Sequence, residues 1–315
     1  MGSAKFHGNE YFREIVPYCF SLQKILIHVG GLVCAGIIKT VFSTLVSKII
    51  IIHLAVQLTG NFLATIPIIV AMAVSSLIFI EQIQRGNTIS VREALSRVTG
   101  YLYPITIAVG KFFVLILVIM LATFLINIFV KIPYLGELLW PLTYIPAFIL
   151  ALLYCGMIAG GVLLIHILPS SIFIFSDGQN LFSRLYSILK NTFPNWLGWF
   201  AISTFTGLGI LALHYGAVIV QIHFSKLIIG EKFYHLIVSI PRYPGYLLHP
   251  WIKYVMPFDF ISPTRFTYTL GAFLWGMIMY LVLCVVIGLV FTIWTNTGTY
   301  FLLRTTLRTH DNTNQ

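Results

Sequence analysis

The feature that most constrains this chain is a series of uncharged apolar runs about as long as a bilayer is thick. The clearest lies between Lys111 and Lys131, which bracket residues 112–130 with no charge between them. A helix needs about 20 apolar residues to cross a hydrocarbon core. Cutting the chain at charges and turn residues gives six such spans, at about 20–38, 62–80, 112–130, 146–166, 196–218 and 268–294. Hydrophobic residues make up 58% of the chain and charged ones 9%, against roughly 45–50% and about 25% in a soluble domain. A water-facing surface cannot be built from so few charges, so lipid must be the solvent for most of the exterior. The expected fold is all-α, a polytopic transmembrane helix bundle forming a single domain.

The formal net charge of +10 does not point to nucleic acid. Its Lys and Arg are scattered between the spans, with no run that could track phosphates, so anionic lipid headgroups are the expected partner. Cys19, Cys34, Cys155 and Cys284 lie far apart in apolar surroundings without CxxC spacing. They read as buried packing thiols. Glu10 and Glu14 interrupt the opening segment and no small-residue cleavage site follows a short apolar core, so attachment by spanning is expected rather than a cleaved leader. The sixth residue, Phe6, also departs from the myristoylation pattern.

Six spans put both termini on one side, and that side carries the larger share of the 19 Lys and Arg. The positive-inside rule then places both termini in the cytoplasm. The stretch 40–61, with Lys48, His53 and Thr59-Gly60-Asn61, is long enough to lie along the interface. On the opposite side, a connection over 222–265 holds Pro241, Pro244, Pro250, Pro257 and Pro263 and cannot be one helix, although residues 225–239 could form a short interfacial one.

Two segments on the terminus side look alike. Val91, Leu95, Val98, Tyr103 and Pro104 align at a constant offset with Leu181, Leu185, Ile188, Phe193 and Pro194. Their apolar positions recur mostly at helical spacing, while Arg92, Ser96 and Arg97, or Arg184, Ser187 and Lys190, take the other face. The spacing predicts amphipathic interfacial helices over 90–103 and 180–193, each between two spans, in a parallel repeat. Duplication and the general tendency of such loops to be basic and amphipathic both account for the likeness. Ser90-Val91-Arg92-Glu93 reads as a capping box. Arg92, Arg97, Arg184 and Lys190 are the candidate contacts to headgroups or a protein partner.

The passage Asn87-Thr88-Ile89-Ser90-Val91-Arg92-Glu93-Ala94-Leu95 resembles the cytoplasmic loop of a family of uncharacterised multi-pass membrane proteins common in planctomycete-type bacteria. So do residues 180–187 with Pro194, and the tail Thr299-Tyr300-Phe301-Leu302-Leu303-Arg304. With the helix order, the likeness covers most of residues 20–305. It implies a bacterial inner-membrane location and supplies no activity or catalytic residue. His310-Asp311-Asn312 stands where the family pattern is more acidic.

Carboxylate-coupled transport normally keeps an acid within the bilayer. All nine acids fall in loops or at span ends, which disfavours it. Paired intramembrane imidazoles could hold haem iron. Of the span histidines, only His53 and His214 could share one depth, and no cofactor is expected. Neither a nucleophile with a base nor a metal pair such as HExxH is present. Gly156 and Gly160 form a GxxxG run in the fourth span, suited to close approach by a helix, ordinarily one of the same chain and otherwise one of another subunit. The reading is a non-enzymatic scaffold or accessory subunit of a larger membrane assembly. A carrier for lipids or small amphiphiles comes second, and a haem-binding electron-transfer subunit third.

Overall fold

The computed structural model describes residues 11–45, 50–130, 135–175, 181–229 and 266–313. Among them there is no strand. A π-helical turn, Tyr11–Ile15, leads into the short α1 (Val16–Cys19). Then follow α2 (Leu22–Thr44), α3 (Ile50–Arg85), α4 (Val91–Thr99), α5 (Leu102–Val130), α6 (Leu135–Ile174), α7 (Leu181–Ile229) and α8 (Phe266–Thr313). Six helices are long and apolar enough to cross a membrane, over Leu22–Thr44, Ala55–Arg85, Leu102–Ile126, Thr143–Val162, Ser183–Val220 and Met277–Thr306. The protein is an all-α, multi-pass membrane protein. The π-helical turn and α8 meet at one end of the bundle, where the Tyr300 hydroxyl donates to the Glu14 carboxylate. We call this the terminal end.

The helices depart from the expected boundaries in three places. Residues 40–44 and 50–61 extend α2 and α3 rather than lying along the interface, and Lys39 Nζ donates to Gln57 Oε1 at 3.1 Å and to Asn61 across the pair. Pairing polar groups between neighbouring helices satisfies them without surface exposure. The second amphipathic segment is not separate: α7 runs through Pro194 without a break. The first copy does stop, at Thr99. Gly100, a poor helix former, stands there where the second copy has Lys190. The third difference is the connection over 222–265. Its first residues continue α7 to Ile229, whereas 230–265, with the five prolines, lie outside the described residues, as do Lys131 and Lys48.

Local chemistry explains the turn before α4. Gly86, at φ +67°, ends α3 in the left-handed conformation that favours glycine, with its amide donating to Gln82 O at 3.2 Å. Ser90 Oγ then caps α4 by accepting from the Glu93 amide at 3.2 Å. That is half of a capping box. The Glu93 carboxylate instead meets Arg97 Nη2 at 2.6 Å.

Helices meet closely where side chains are small. A Cβ on Gly31 would stand 2.7 Å from Ala71 Cβ and 2.8 Å from Pro67 O, which fixes α2 against α3. At Gly298 a Cβ would run into the His166 carbonyl oxygen, so α8 and α6 touch backbone to backbone. These approaches gather the core at the terminal end. Met72, Ile78 and Phe79 of α3, Ile167 of α6, Trp196 of α7 and Leu302 of α8 are fully or almost fully buried. The most apolar stretch of the second span is 61% buried, that of the third 11% and that of the fourth 6%. Towards the other end α5 and α6 form an arm with wide apolar exposure, as at Val118, Leu125, Phe148 and Leu152. Cys19 and Cys284 are buried, but Cys34 and Cys155 are exposed, so only the first pair are packing thiols.

Candidate functional site

On α2, Lys24, His28, Gly31, Ala35 and Lys39 recur every three or four residues and are all buried. They form one stripe that faces α3 and α8. Ionisable groups inside a membrane are costly, about 2.5–3.5 kcal/mol each for a lysine at mid-span on insertion scales, and they tend to mark function. Lys24 is the first of them. Its side chain is fully buried, Nζ donates to Tyr18 O at 3.3 Å, and it lies over the rings of Phe79, 4.8 Å from the centroid, and Tyr18, 5.9 Å away. Two aromatic faces and a carbonyl offer this cation partial negative charge without a carboxylate. Among the described residues no acid pairs with it.

Around Lys24 the polar seam continues in both directions. Asn296 Nδ2 reaches the same Tyr18 carbonyl at 3.5 Å and Cys19 Sγ at 3.6 Å. Cys19 donates to Ile15 O at 3.3 Å, and burial pushes its thiol up to about 11, which leaves it protonated and unreactive at neutral pH. One turn further, His28 Nδ1 stands 2.9 Å from Lys24 O and 3.2 Å from Thr292 Oγ1, while Thr292 donates to Gly288 O at 2.8 Å. A carbonyl can only accept, so this network assigns the ring proton to Nδ1. Nε2 then has no partner among the described residues, and neither do buried Ser75 Oγ, Thr295 Oγ1 and Asn296 Oδ1. At the terminal surface, the hydrogen bond from Tyr300 holds the Glu14 carboxyl below its usual range.

A second buried knot surrounds His166. Its Nε2 lies 3.3 Å from Ser203 Oγ, which itself donates to Phe200 O, so Nε2 carries the proton. Phe200, Trp294 and Trp196 enclose the ring edge-on at 5.4, 5.5 and 6.4 Å between centroids. Among the described residues no three His, Cys, Asp or Glu side chains come together as a metal site would require.

The residues singled out from sequence fall in different settings. Arg97 bonds Glu81 at 2.9 Å and Glu93 at 2.6 Å, which raises its pKa and fastens α4 to α3. Arg92 and Lys190 are exposed. Arg184 Nη1 donates to Phe175 O at 3.2 Å across the mouth of a cleft. His214 is half-buried on α7, and the side chain of His53 lies outside the described residues. Gly156 and Gly160 have no described residue within 4 Å of where a Cβ would stand. The neighbouring Gly161 makes the close approach instead, against the Phe112 ring. A glycine run fixes only which face is smooth, not which helix arrives.

Lys24 and Lys39 are what the sequence reading missed. Both look like charges that close a span, because basic side chains near helix ends normally snorkel to water. Their common stripe with His28 and Gly31 was the available signal. No family model, no curated protein and no solved structure matches this chain.

Proposed function

We propose that this chain is a non-enzymatic scaffold or accessory subunit of a larger membrane assembly. It sits in the bacterial inner membrane with both termini in the cytoplasm, as the likeness to the planctomycete-type family and the distribution of basic residues suggest. The observation that carries the subunit reading is the α5–α6 arm. Its fourth span is only 6% buried, and no described residue lies within 4 Å of a Cβ placed on Gly156 or Gly160. Small residues on a smooth face let a second helix come near enough for dispersion and Cα–H···O contacts to hold it within lipid. The occupant in this reading is a transmembrane helix of another subunit.

The test is purification from native membranes in mild detergent, with the chain at its natural level. A stoichiometric membrane partner should co-purify and should be lost in the Gly156→Leu, Gly160→Leu double variant, which leaves the terminal-end core untouched. A monodisperse monomer with no partner, and a double variant of unchanged behaviour, would count against the subunit reading. A visible spectrum of the same sample addresses the haem alternative: a Soret band lost in His53→Ala or His214→Ala would promote it.

The buried seam favours a second reading, a carrier of anionic lipids or small amphiphiles. Lys24 and Lys39 are cations within the bundle whose partners among the described residues are carbonyls, amides and rings. An anionic group entering between α2 and α8 would find charge complementarity there. Uptake of an anionic amphiphile into proteoliposomes that fails in Lys24→Met would favour the carrier over the scaffold.

A further inference from the structure

We propose that the seam between α2, α3 and α8 is a binding site for a small cluster of water molecules, which hydrates the Lys24 ammonium inside the bundle. The inference goes beyond the subunit reading and stands without it. Four buried polar atoms carry it: His28 Nε2, Ser75 Oγ, Thr295 Oγ1 and Asn296 Oδ1, none with a hydrogen-bond partner among the described residues. The residues that bear them are at most 1% exposed. A polar group buried without a partner is costly, and four of them in one place call for a shared ligand.

Packing brings the four together. On α3, Pro67, Ala71, Ser75 and Phe79 follow one another at four-residue spacing and so share a face. Gly31 of α2 packs on Pro67 O and Ala71, and Lys24 lies over the Phe79 ring. His28 stands between Gly31 and Lys24 on its own helix, which puts it opposite Ser75. The same two turns of α2 meet α8. His28 Nδ1 is 3.2 Å from Thr292 Oγ1, and Lys24 Nζ and Asn296 Nδ2 share the Tyr18 carbonyl at 3.3 and 3.5 Å. Thr292, Thr295, Asn296 and Thr299 recur at helical spacing on one face of α8, and Thr299 donates to Ser76 of α3 at 3.2 Å. Thr295 is the exception among its neighbours. Thr292, Thr297 and Thr299 each donate to the carbonyl four residues back at 2.7 or 2.8 Å, whereas the Thr295 hydroxyl makes no such bond.

The balance of donors and acceptors selects water. His28 carries its ring proton on Nδ1, so Nε2 can only accept, as can Asn296 Oδ1. An anion resting among these atoms would face both sets of lone pairs, and a second cation would face Lys24. Ser75 and Thr295 can donate and accept, and Lys24 Nζ has three N–H groups, of which the Tyr18 carbonyl takes one. A neutral molecule that does both meets all of them. The short side chains of Ala71 and Ser75 favour the smallest such molecule, and a buried water typically makes about three hydrogen bonds. The cluster gives Lys24 the hydration that the Phe79 and Tyr18 rings supply only in part.

Two substitutions in the full chain, read by thermal melting in detergent, test the site. Ser75→Ala and Thr295→Val each remove a hydroxyl with little change of shape. Where water bonds these hydroxyls, each loss should lower the melting temperature by about 2–4 °C, the shift expected for one hydrogen bond. In a dry seam the same changes remove an unsatisfied group and cost nothing. An unchanged or raised melting temperature in either variant would therefore overturn the site. Thr297→Val, which deletes a hydroxyl already bonded to Ile293 O, sets the scale for one lost bond. X-ray radiolysis reads the ligand itself, because a bound water activated in place oxidises the side chains beside it. Oxidation of His28 and Phe79 should be readily seen despite their burial, and should fall several-fold in Ser75→Ala and in the Ser75→Ala, Thr295→Val double variant. Oxidation that is absent in the parent, or unchanged in the variants, would overturn the proposal. A melting temperature that rises to saturation with added chloride or acetate, and does so in the parent but not in Lys24→Met, would place an anion among these atoms and overturn the assignment to water.

Discussion

The terminal end of the bundle and the α5–α6 arm are built from equally apolar helices and are held in opposite ways. At the terminal end α2, α3, α6 and α8 interlock through Gly31, Gly288 and Gly298, and polar groups from several helices hydrogen-bond between them. In the arm, α5 and α6 meet chiefly each other, with Gly161 under Phe112, and turn most of their surface outward. Apolarity alone gives no reason for two helices to associate in lipid, because the tails are as apolar as the side chains. Close backbone approach and paired polar groups do. The difference teaches that this protein's fold is carried by one end, which leaves the arm available for other work.

Substitution at the two kinds of glycine should break that comparison most sharply. Gly298→Leu forces a side chain into the His166 backbone, where neither helix can retreat, and should cost about 3 kcal/mol or more. Gly156→Leu meets no described residue within 4 Å and should change stability by less than about 0.5 kcal/mol. Thermal melting in detergent, followed by size-exclusion chromatography, reads both. Equal tolerance would mean that the terminal end is not the folding core.

Lys24 sharpens the question of what the seam is for. Replacing a buried ion with an apolar side chain of similar shape is often neutral or stabilising. Lys24→Met should therefore leave the melting temperature unchanged or raise stability by about 1 kcal/mol, despite the loss of the bond to Tyr18 O. A loss of more than about 2 kcal/mol would make Lys24 a structural clasp for α1, and would remove the main support for the carrier reading.

The smallest effect concerns pH at the outer edge of the same end. Tyr300 lowers the pKa of Glu14, so the contact stabilises the folded state above the ordinary glutamate range and is lost as pH falls through the lowered value. Hydrogen exchange of residues 11–19 should rise below about pH 4, while the core of α3 stays protected. Tyr300→Phe should show the same fast exchange already at neutral pH. Identical exchange in the variant and the parent at pH 7 would mean that the hydroxyl does not hold this segment.

Much of the architecture was readable from local signals. Uncharged runs such as 112–130 report helices that cross a bilayer, since only a helix can satisfy its own backbone there. Ser90 with Glu93 announced the start of α4, and the offset between Val91 and Leu181 announced two related segments. Each of these depends on neighbours within a few turns. The parallel repeat was harder to read, because Gly100 in one copy and Lys190 in the other decide whether the amphipathic segment separates from its span.

The number of spans, their order and the basic character of the terminal end therefore follow from sequence, because desolvation of backbone and charge is decided one segment at a time. Which faces meet does not follow from it. Lys24 could have reached water had α3 and α8 not closed over it, and Gly156 could have been the crossing point had a helix come to it rather than to Gly161. Arg97 and Arg184 differ in the same way: Glu81 stands beside one and the Phe175 carbonyl beside the other. In lipid all apolar faces are nearly equivalent, so the choice among them rests on a few close approaches and polar pairs between distant residues, and these exist only once the helices are packed.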